Sequence, residues 1–144
     1  MSDLRFRVRA QAENPTKTSV KTRNFHLVID EPPDLGGTDA GANPVEYVIA
    51  ALSGCLNVMG HLIAKEMGMD LTGLKIDVVG ELNPDGLFGN ETEDRVGYKN
   101  IKVTLRPECD AEPAVLDEWA KRVEERCPVS DNLANPTPLQ ISLN

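Results

Sequence analysis

No run of lysines or arginines occurs anywhere in the 144 residues, and the formal charge is −8. A nucleic acid or an anionic membrane surface would be repelled, and no local basic patch reverses that repulsion. The N-terminus, Met1-Ser2-Asp3-Leu4-Arg5, lacks the apolar stretch of a secretory signal. Cysteine is scarce: Cys55, Cys109 and Cys127 are too few and too dispersed for a secreted disulfide framework. No C-x-x-C spacing is present, which disfavours a zinc ribbon, and no metal site is expected. Neither G-x-G-x-x-G nor P-loop spacing occurs in the Gly-rich stretch 31–42, so phosphate and nucleotide cofactors are not expected. Internal repeats and low-complexity tracts are also missing. The expectation is one cytoplasmic domain, residues 1–144, large enough to bury a core without a covalent staple.

What the chain does contain is alternation followed by one long apolar run. Leu4, Phe6, Val8 and Ala10 alternate with Arg5, Arg7 and Arg9, the pattern of a half-buried strand. Turn chemistry at residues 13–17 leads to a second strand over 20–29. Its apolar parity slips at Arg23-Asn24, which a bulge would explain. Asn43, Pro44 and Glu46 stand at N-cap, N1 and N3 of a helix predicted over residues 44–67, ending at Gly68. This helix carries no formal charge from Tyr47 to Ala64. A membrane span is rejected, because Ser53, Asn57 and His61 interrupt the run and Gly54 and Gly60 weaken it. The expectation is a helix buried on nearly every side. One chain of this size has little mass to surround it, so a second copy should supply the cover.

Strands are then expected over 74–82 and 98–105, a helix over 112–127 stopped by Pro128, and a closing strand over 139–143. The order β-β-α-β-β-α-β makes an α+β domain.

The segments Asn43-Pro44-Val45-Glu46, Ala50-Ala51-Leu52-Ser53-Gly54-Cys55 and Cys127-Pro128-Val129-Ser130, with Leu35-Gly36-Gly37 before the long helix, resemble the OsmC/Ohr family of osmotically inducible and organic hydroperoxide resistance proteins. The resemblance implies an intertwined homodimer with two long helices packed centrally between sheets. It also implies thiol-dependent reduction of organic hydroperoxides, with recycling by a dithiol reductant and no cofactor. Cys55 takes the peroxidatic role and Cys127 the resolving role by that resemblance; their sequence spacing does not itself bring them together. Characterised members place a glutamate and an arginine beside the peroxidatic cysteine. The glutamate position falls here on Val45, with Glu46 its neighbour, and Arg23 is the nearest candidate arginine, ahead of Lys17.

The residues set conditions on that chemistry. Ala51, Leu52, Val58, Met59 and Leu62 surround Cys55 on its helix. Such a bed disfavours an anion, so a peroxidatic thiolate calls for a cation brought from elsewhere in the fold. Glu46 and Cys55 share a helix at a spacing of about 13 Å along the axis and on opposite faces, so Glu46 serves as a capping carboxylate or acts on a partner chain. His61 lies off the Cys55 face and reads as a satisfied buried histidine or one meeting Asn57 a turn earlier, and His26 has no evident partner. Cys109 reads as a bystander and Trp119 as core. Two alternatives stand beside the peroxidase: a catalytically silent protein binding a small apolar ligand at the dimer interface, and a peroxide sensor.

Overall fold

In the computed structural model, which describes residues 1–144, the chain forms two units, Met1–Val48 and Ile49–Asn144. The first is a three-stranded antiparallel sheet in the order β1-β2-β3, with β1 Arg9–Ala12, β2 Thr18–Thr22 and β3 Phe25–Ile29. The turn between β1 and β2 is fastened by Asn14, whose Oδ1 accepts from the Thr16 and Lys17 N–H groups at 2.9 and 2.7 Å. Between β2 and β3 the chain reverses over only Arg23 and Asn24, since Thr22 pairs with Phe25. The parity slip therefore marks a tight hairpin turn rather than a bulge. Arg23 adopts φ 51° there, a left-handed conformation that is uncommon for a residue with a side chain. Residues 4–8 do not join the sheet as expected. Leu4, Phe6 and Val8 stay exposed because this chain presents nothing to cover their apolar side.

Past β3, Asp30 is fully buried. Its carboxylate collects the Thr38 hydroxyl, the Glu31 N–H at 2.7 Å and the Ala40 N–H at 3.1 Å. Segment 31–42, irregular apart from a single 3-10 turn at Pro33–Leu35, is thereby wrapped around one anion. Gly37 passes so close to the Glu31 backbone that a Cβ would overlap its carbonyl oxygen. The loop delivers the chain to α1, Pro44–Glu66, through reciprocal capping. The Glu46 N–H donates to Asn43 Oδ1 at 2.9 Å, and the Asn43 N–H donates to Glu46 Oε1 at 3.1 Å. The Tyr47 hydroxyl donates to the Val28 carbonyl at 2.9 Å and ties the first turn of α1 to β3.

The second unit holds the rest of α1, the antiparallel pair β4 Gly73–Glu81 and β5 Asn100–Glu108, and helices α2 Pro113–Arg126 and α3 Pro128–Ala134. Gly68, at φ 69°, closes α1: its N–H donates to Lys65 and the Met69 N–H to Ala64. Leu52, Leu56, Gly60, Ile63 and Ala64 form the buried row of α1. They meet Trp119 and Val123 of α2 and, from the sheet, Leu74, Ile76 and Leu105. Gly60 is required at the crossing. A Cβ there would stand 2.9 Å from Leu74 Cδ2 and 3.2 Å from Trp119 Cζ2. The Trp119 indole N–H donates to the Gly60 carbonyl at 2.8 Å. Truncation of so buried an indole typically costs about 3–5 kcal/mol.

Three further expectations are corrected. α1 is buried along one face, not on nearly every side. Val58 is 62% exposed and Leu62 43%, because a single chain packs only one side of the helix. By length and composition α1 could cross a bilayer, but its buried row packs into protein. Pro128 ends α2 but also opens α3 from its first position, where its missing N–H costs nothing. Residues 139–143 form no strand, and Leu139, Ile141 and Leu143 are exposed.

The Asp30 carboxyl is held far below the usual carboxylate range, chiefly by the Thr38 hydroxyl. Burial opposes that shift, while the Thr16 hydroxyl and the Glu31 and Ala40 N–H groups assist it. A depressed folded value stabilises the fold above the unfolded value of about 3.9, and this contribution drains away as pH falls toward the folded value. Asp30→Asn is expected to lower the thermal midpoint at neutral pH, with the gap to wild type narrowing below about pH 4. Circular-dichroism melts across that range check this, and a gap that stays constant down to about pH 2 would count against it.

Candidate active site

Cys55 lies midway along α1 and Cys127 at the junction of α2 and α3. The junction follows from local sterics. The residue before proline is driven out of the helical region. Cys127, at φ −81° and ψ 111°, is accordingly extended and interrupts two helices that would otherwise be continuous. Its sulfur points at Cys55, and the two sulfur atoms are 3.0 Å apart. Both are free thiols, about 1 Å short of the ~2.05 Å of a disulfide.

The pair is asymmetric. Cys127 is 1% exposed, whereas Cys55 is half-buried at the edge of the core beside Met59. The Cys127 thiol donates its hydrogen bond to the Cys55 sulfur. Burial pushes the Cys127 thiol up from its ordinary value, and the bond to Cys55 adds to the rise. The Ser130 N–H, 3.4 Å from the Cys127 sulfur, works the other way and does not overcome burial. Cys127 thus keeps its proton and presents it to Cys55. No hydrogen bond or ion pair joins Cys55 to a cationic side chain within this chain, so the positive neighbour expected beside it is not found here; its polar partner is Cys127.

The α2–α3 junction has a second attachment to α1. Arg126 reaches Glu66 through two bonds, Nη1 to Oε2 at 2.5 Å and Nη2 to Oε1 at 3.1 Å. The guanidinium lowers the Glu66 carboxyl, chiefly by hydrogen bonding, and the carboxylate in turn raises Arg126. Neither residue was singled out from sequence. They lie sixty positions apart, and no local pattern announces the contact.

The remaining candidates fall elsewhere. Arg23 is in the β2–β3 turn with its guanidinium 4.9 Å from the Phe25 ring centroid, and Glu46 is the capping carboxylate of α1. Both belong to the first unit, while Cys55 and Cys127 belong to the second. His61 Nδ1 lies 3.0 Å from the Asn57 carbonyl, one turn earlier on α1, and the ring is exposed rather than buried. His26 is exposed on β3, and Cys109 is half-buried just after β5. No three His, Cys, Asp or Glu side chains are grouped to hold a metal ion.

An open groove of about 920 Å³ runs beside the pair. Its lining is mixed: Leu52, Leu56 and Val123 face it beside the charged Lys99, Lys121 and Glu124, and Ser130 contributes from α3. Leu52 and Leu56 flank Cys55 on α1, but neither cysteine lines the groove itself.

Comparison with known proteins agrees with this architecture. Residues 37–142 match the family model described as OsmC-like protein. No curated protein matches. Among solved structures, an OsmC-like protein from Mycoplasma pneumoniae superposes with a TM-score of 0.81 at 18% identity, over 94% of this chain and 91% of that one. An organic hydroperoxide resistance protein OsmC from Legionella pneumophila gives 0.66 at 18% identity, over 92% and 91%. An organic hydroperoxide resistance protein from Elizabethkingia anophelis gives 0.68 at 16% identity, over 94% and 91%. At these identities the likeness establishes the fold: α+β and OsmC-like.

The exposure of Cys55 and the burial of Cys127 predict ordered alkylation. Under limiting iodoacetamide at neutral pH, Cys55 should be modified well before Cys127, as read by peptide mass spectrometry. Faster labelling of Cys127 would reverse the assignment of accessible and protected thiols.

Proposed function

We propose that this chain, which belongs to the OsmC-like protein family, is a thiol-dependent peroxidase acting on organic hydroperoxides. The observation that carries the reading is the 3.0 Å approach of two free thiols, the half-buried one accepting a hydrogen bond from the buried one. The hydroperoxide resistance proteins that share the fold are consistent with it.

The steps follow from that asymmetry. Cys55 attacks as the thiolate on the terminal oxygen of the hydroperoxide. The O–O bond breaks, the S–O bond forms, and the departing alkoxide takes a proton to become an alcohol. Cys55 is left as a sulfenic acid. The Cys127 thiol then displaces water from it, forming the Cys55–Cys127 disulfide. Sulfur moves only about 1 Å for that closure, so condensation outruns further oxidation. An external dithiol returns both cysteines to thiols by exchange and leaves as its own disulfide. The groove beside the pair has an apolar floor of Leu52, Leu56 and Val123 with charged residues such as Lys99 and Glu124 also lining it, which suits a peroxide that carries both an apolar body and a polar group.

In this reading the active form is a homodimer built from a single domain of residues 1–144, and it works in the reducing cytoplasm. The exposed uncharged row of α1, with Val58 and Leu62, and the exposed Leu4, Phe6, Leu139 and Ile141 find their cover on a second copy. Glu46 cannot reach the cysteine of its own helix. It and Arg23 serve as supporting groups across the interface.

The groove favours a second reading, because its lining excludes both cysteines. A catalytically silent protein would hold a small apolar ligand there, and binding would survive loss of either thiol.

Wild-type protein with excess dithiothreitol is expected to consume cumene hydroperoxide steadily. Cys55→Ser should abolish consumption, and Cys127→Ser should accumulate one dimedone-reactive sulfenic acid per chain. Undiminished consumption by Cys55→Ser would reject the mechanism, while apolar-ligand binding without any consumption would select the second reading. Analytical ultracentrifugation should find a particle of twice 15.7 kDa. A monomer at micromolar concentration would remove the dimer from the proposal.

A further inference from the structure

The attachment of α2 to α1 is divided between two neighbouring residues. Cys127 contacts α1 at Cys55, and Arg126 contacts it at Glu66, about 16 Å further along the axis at 1.5 Å per residue. Between these points lies the Trp119 indole bond to Gly60. Along α2 both contacts lie on the same, C-terminal side of Trp119, so together they fix against α1 the end of α2 that leads into Cys127. Arg126 and Cys127 are adjacent, so only four bonds separate the Arg126 carbonyl carbon from the Cys127 sulfur, and holding Arg126 limits where that sulfur can go. The pair is bidentate, which fixes orientation as well as distance. It is also partly exposed, 44% for Arg126 and 43% for Glu66, so its worth to global stability is small.

We infer that Glu66 and Arg126 form a positioning clamp that sets how often the Cys127 sulfur meets Cys55, and so sets the effective concentration of one thiol at the other. The inference rests on reading Cys55 and Cys127 as a redox pair. It does not depend on peroxide being the oxidant. The clamp touches neither the substrate nor the reacting sulfurs; it acts through the backbone of the α2–α3 junction. Glu66 is its anion, Arg126 its cation, and the bidentate geometry rather than the net charge is what matters.

The quantity to measure is the equilibrium of the protein dithiol with oxidised glutathione. Cys55 and Cys127 lose two electrons and two protons to form their disulfide, and one glutathione disulfide becomes two glutathione thiols. Glu66→Gln and Arg126→Gln should each lower this equilibrium constant by about two- to fivefold, the scale of a well-formed surface pair. The exchanged double variant, Glu66→Arg with Arg126→Glu, should recover most of the loss. Asp77→Asn supplies the control. It breaks the Asp77–Arg106 pair, which joins β4 to β5, and should leave the constant unchanged. Equal constants for wild type and Glu66→Gln would overturn the clamp, as would an equal drop in Asp77→Asn or no recovery in the exchanged variant. Failure of wild-type protein to form the disulfide at all would instead overturn the redox-pair reading and the clamp with it. Because no peroxide enters the measurement, a protein that oxidises with glutathione yet ignores hydroperoxides would lose only the peroxidase assignment.

Discussion

A buried thiol hydrogen-bonded to a more accessible one is the contact around which the second unit is arranged. Taken alone, a cysteine in an apolar bed is a small hydrophobe that keeps its proton. Placed 3.0 Å from a second sulfur that is even more buried, it becomes the acceptor of the pair. The low-dielectric surroundings that discourage charge on Cys127 make its S–H a better donor, because no water competes for the hydrogen. Burial alone therefore makes two chemically identical side chains unlike each other. The rest of the unit keeps this geometry: Gly60 lets Trp119 approach, Trp119 and Val123 seat α2, and Pro128 turns the chain so that Cys127 faces inward.

Local chemistry made much of the fold legible in advance. Asn43, Pro44 and Glu46 announce the start of α1, and the reciprocal bonds between Asn43 and Glu46 are those the residue types imply. Gly68 marks its end through a left-handed φ that few other residues accept. Alternation located β4 and β5 to within a few residues. Errors arose where one residue admits two local outcomes. A change of parity follows equally from a bulge and from a tight turn, and Arg23 chose the turn despite its side chain. Proline stops one helix and starts another with the same missing N–H, so α3 was hidden behind Pro128. Alternation over 139–143 indicates a face to be covered, and within this chain nothing covers it.

The site was legible in another way. The sequence separation of Cys55 and Cys127 is silent about their meeting; a resemblance in short motifs suggested the pairing, and packing of α2 on α1 brings it about. Arg126, Glu66 and Asp30 could not be found this way. Charged residues on helices are normally solvated, and nothing local distinguishes an Arg that grips a distant carboxylate from one that faces water. Asp30 had even less to mark it, since a strand end before a proline-rich loop is an ordinary place for an exposed carboxylate.

The wrapping of residues 31–42 around Asp30 gives this segment a property most connections lack. Surface loops generally tolerate added or deleted residues, because their length is not tied to any internal dimension. Here Glu31, Thr38 and Ala40 must all return to the same two oxygens, while the Asp30 N–H binds the Ala42 carbonyl at 3.2 Å. The contour length between those residues is therefore a fixed measurement of the molecule. Adding even one residue would leave a buried anion short of a donor and displace the capped first turn of α1, so the stretch richest in glycine and proline is among the least free to drift.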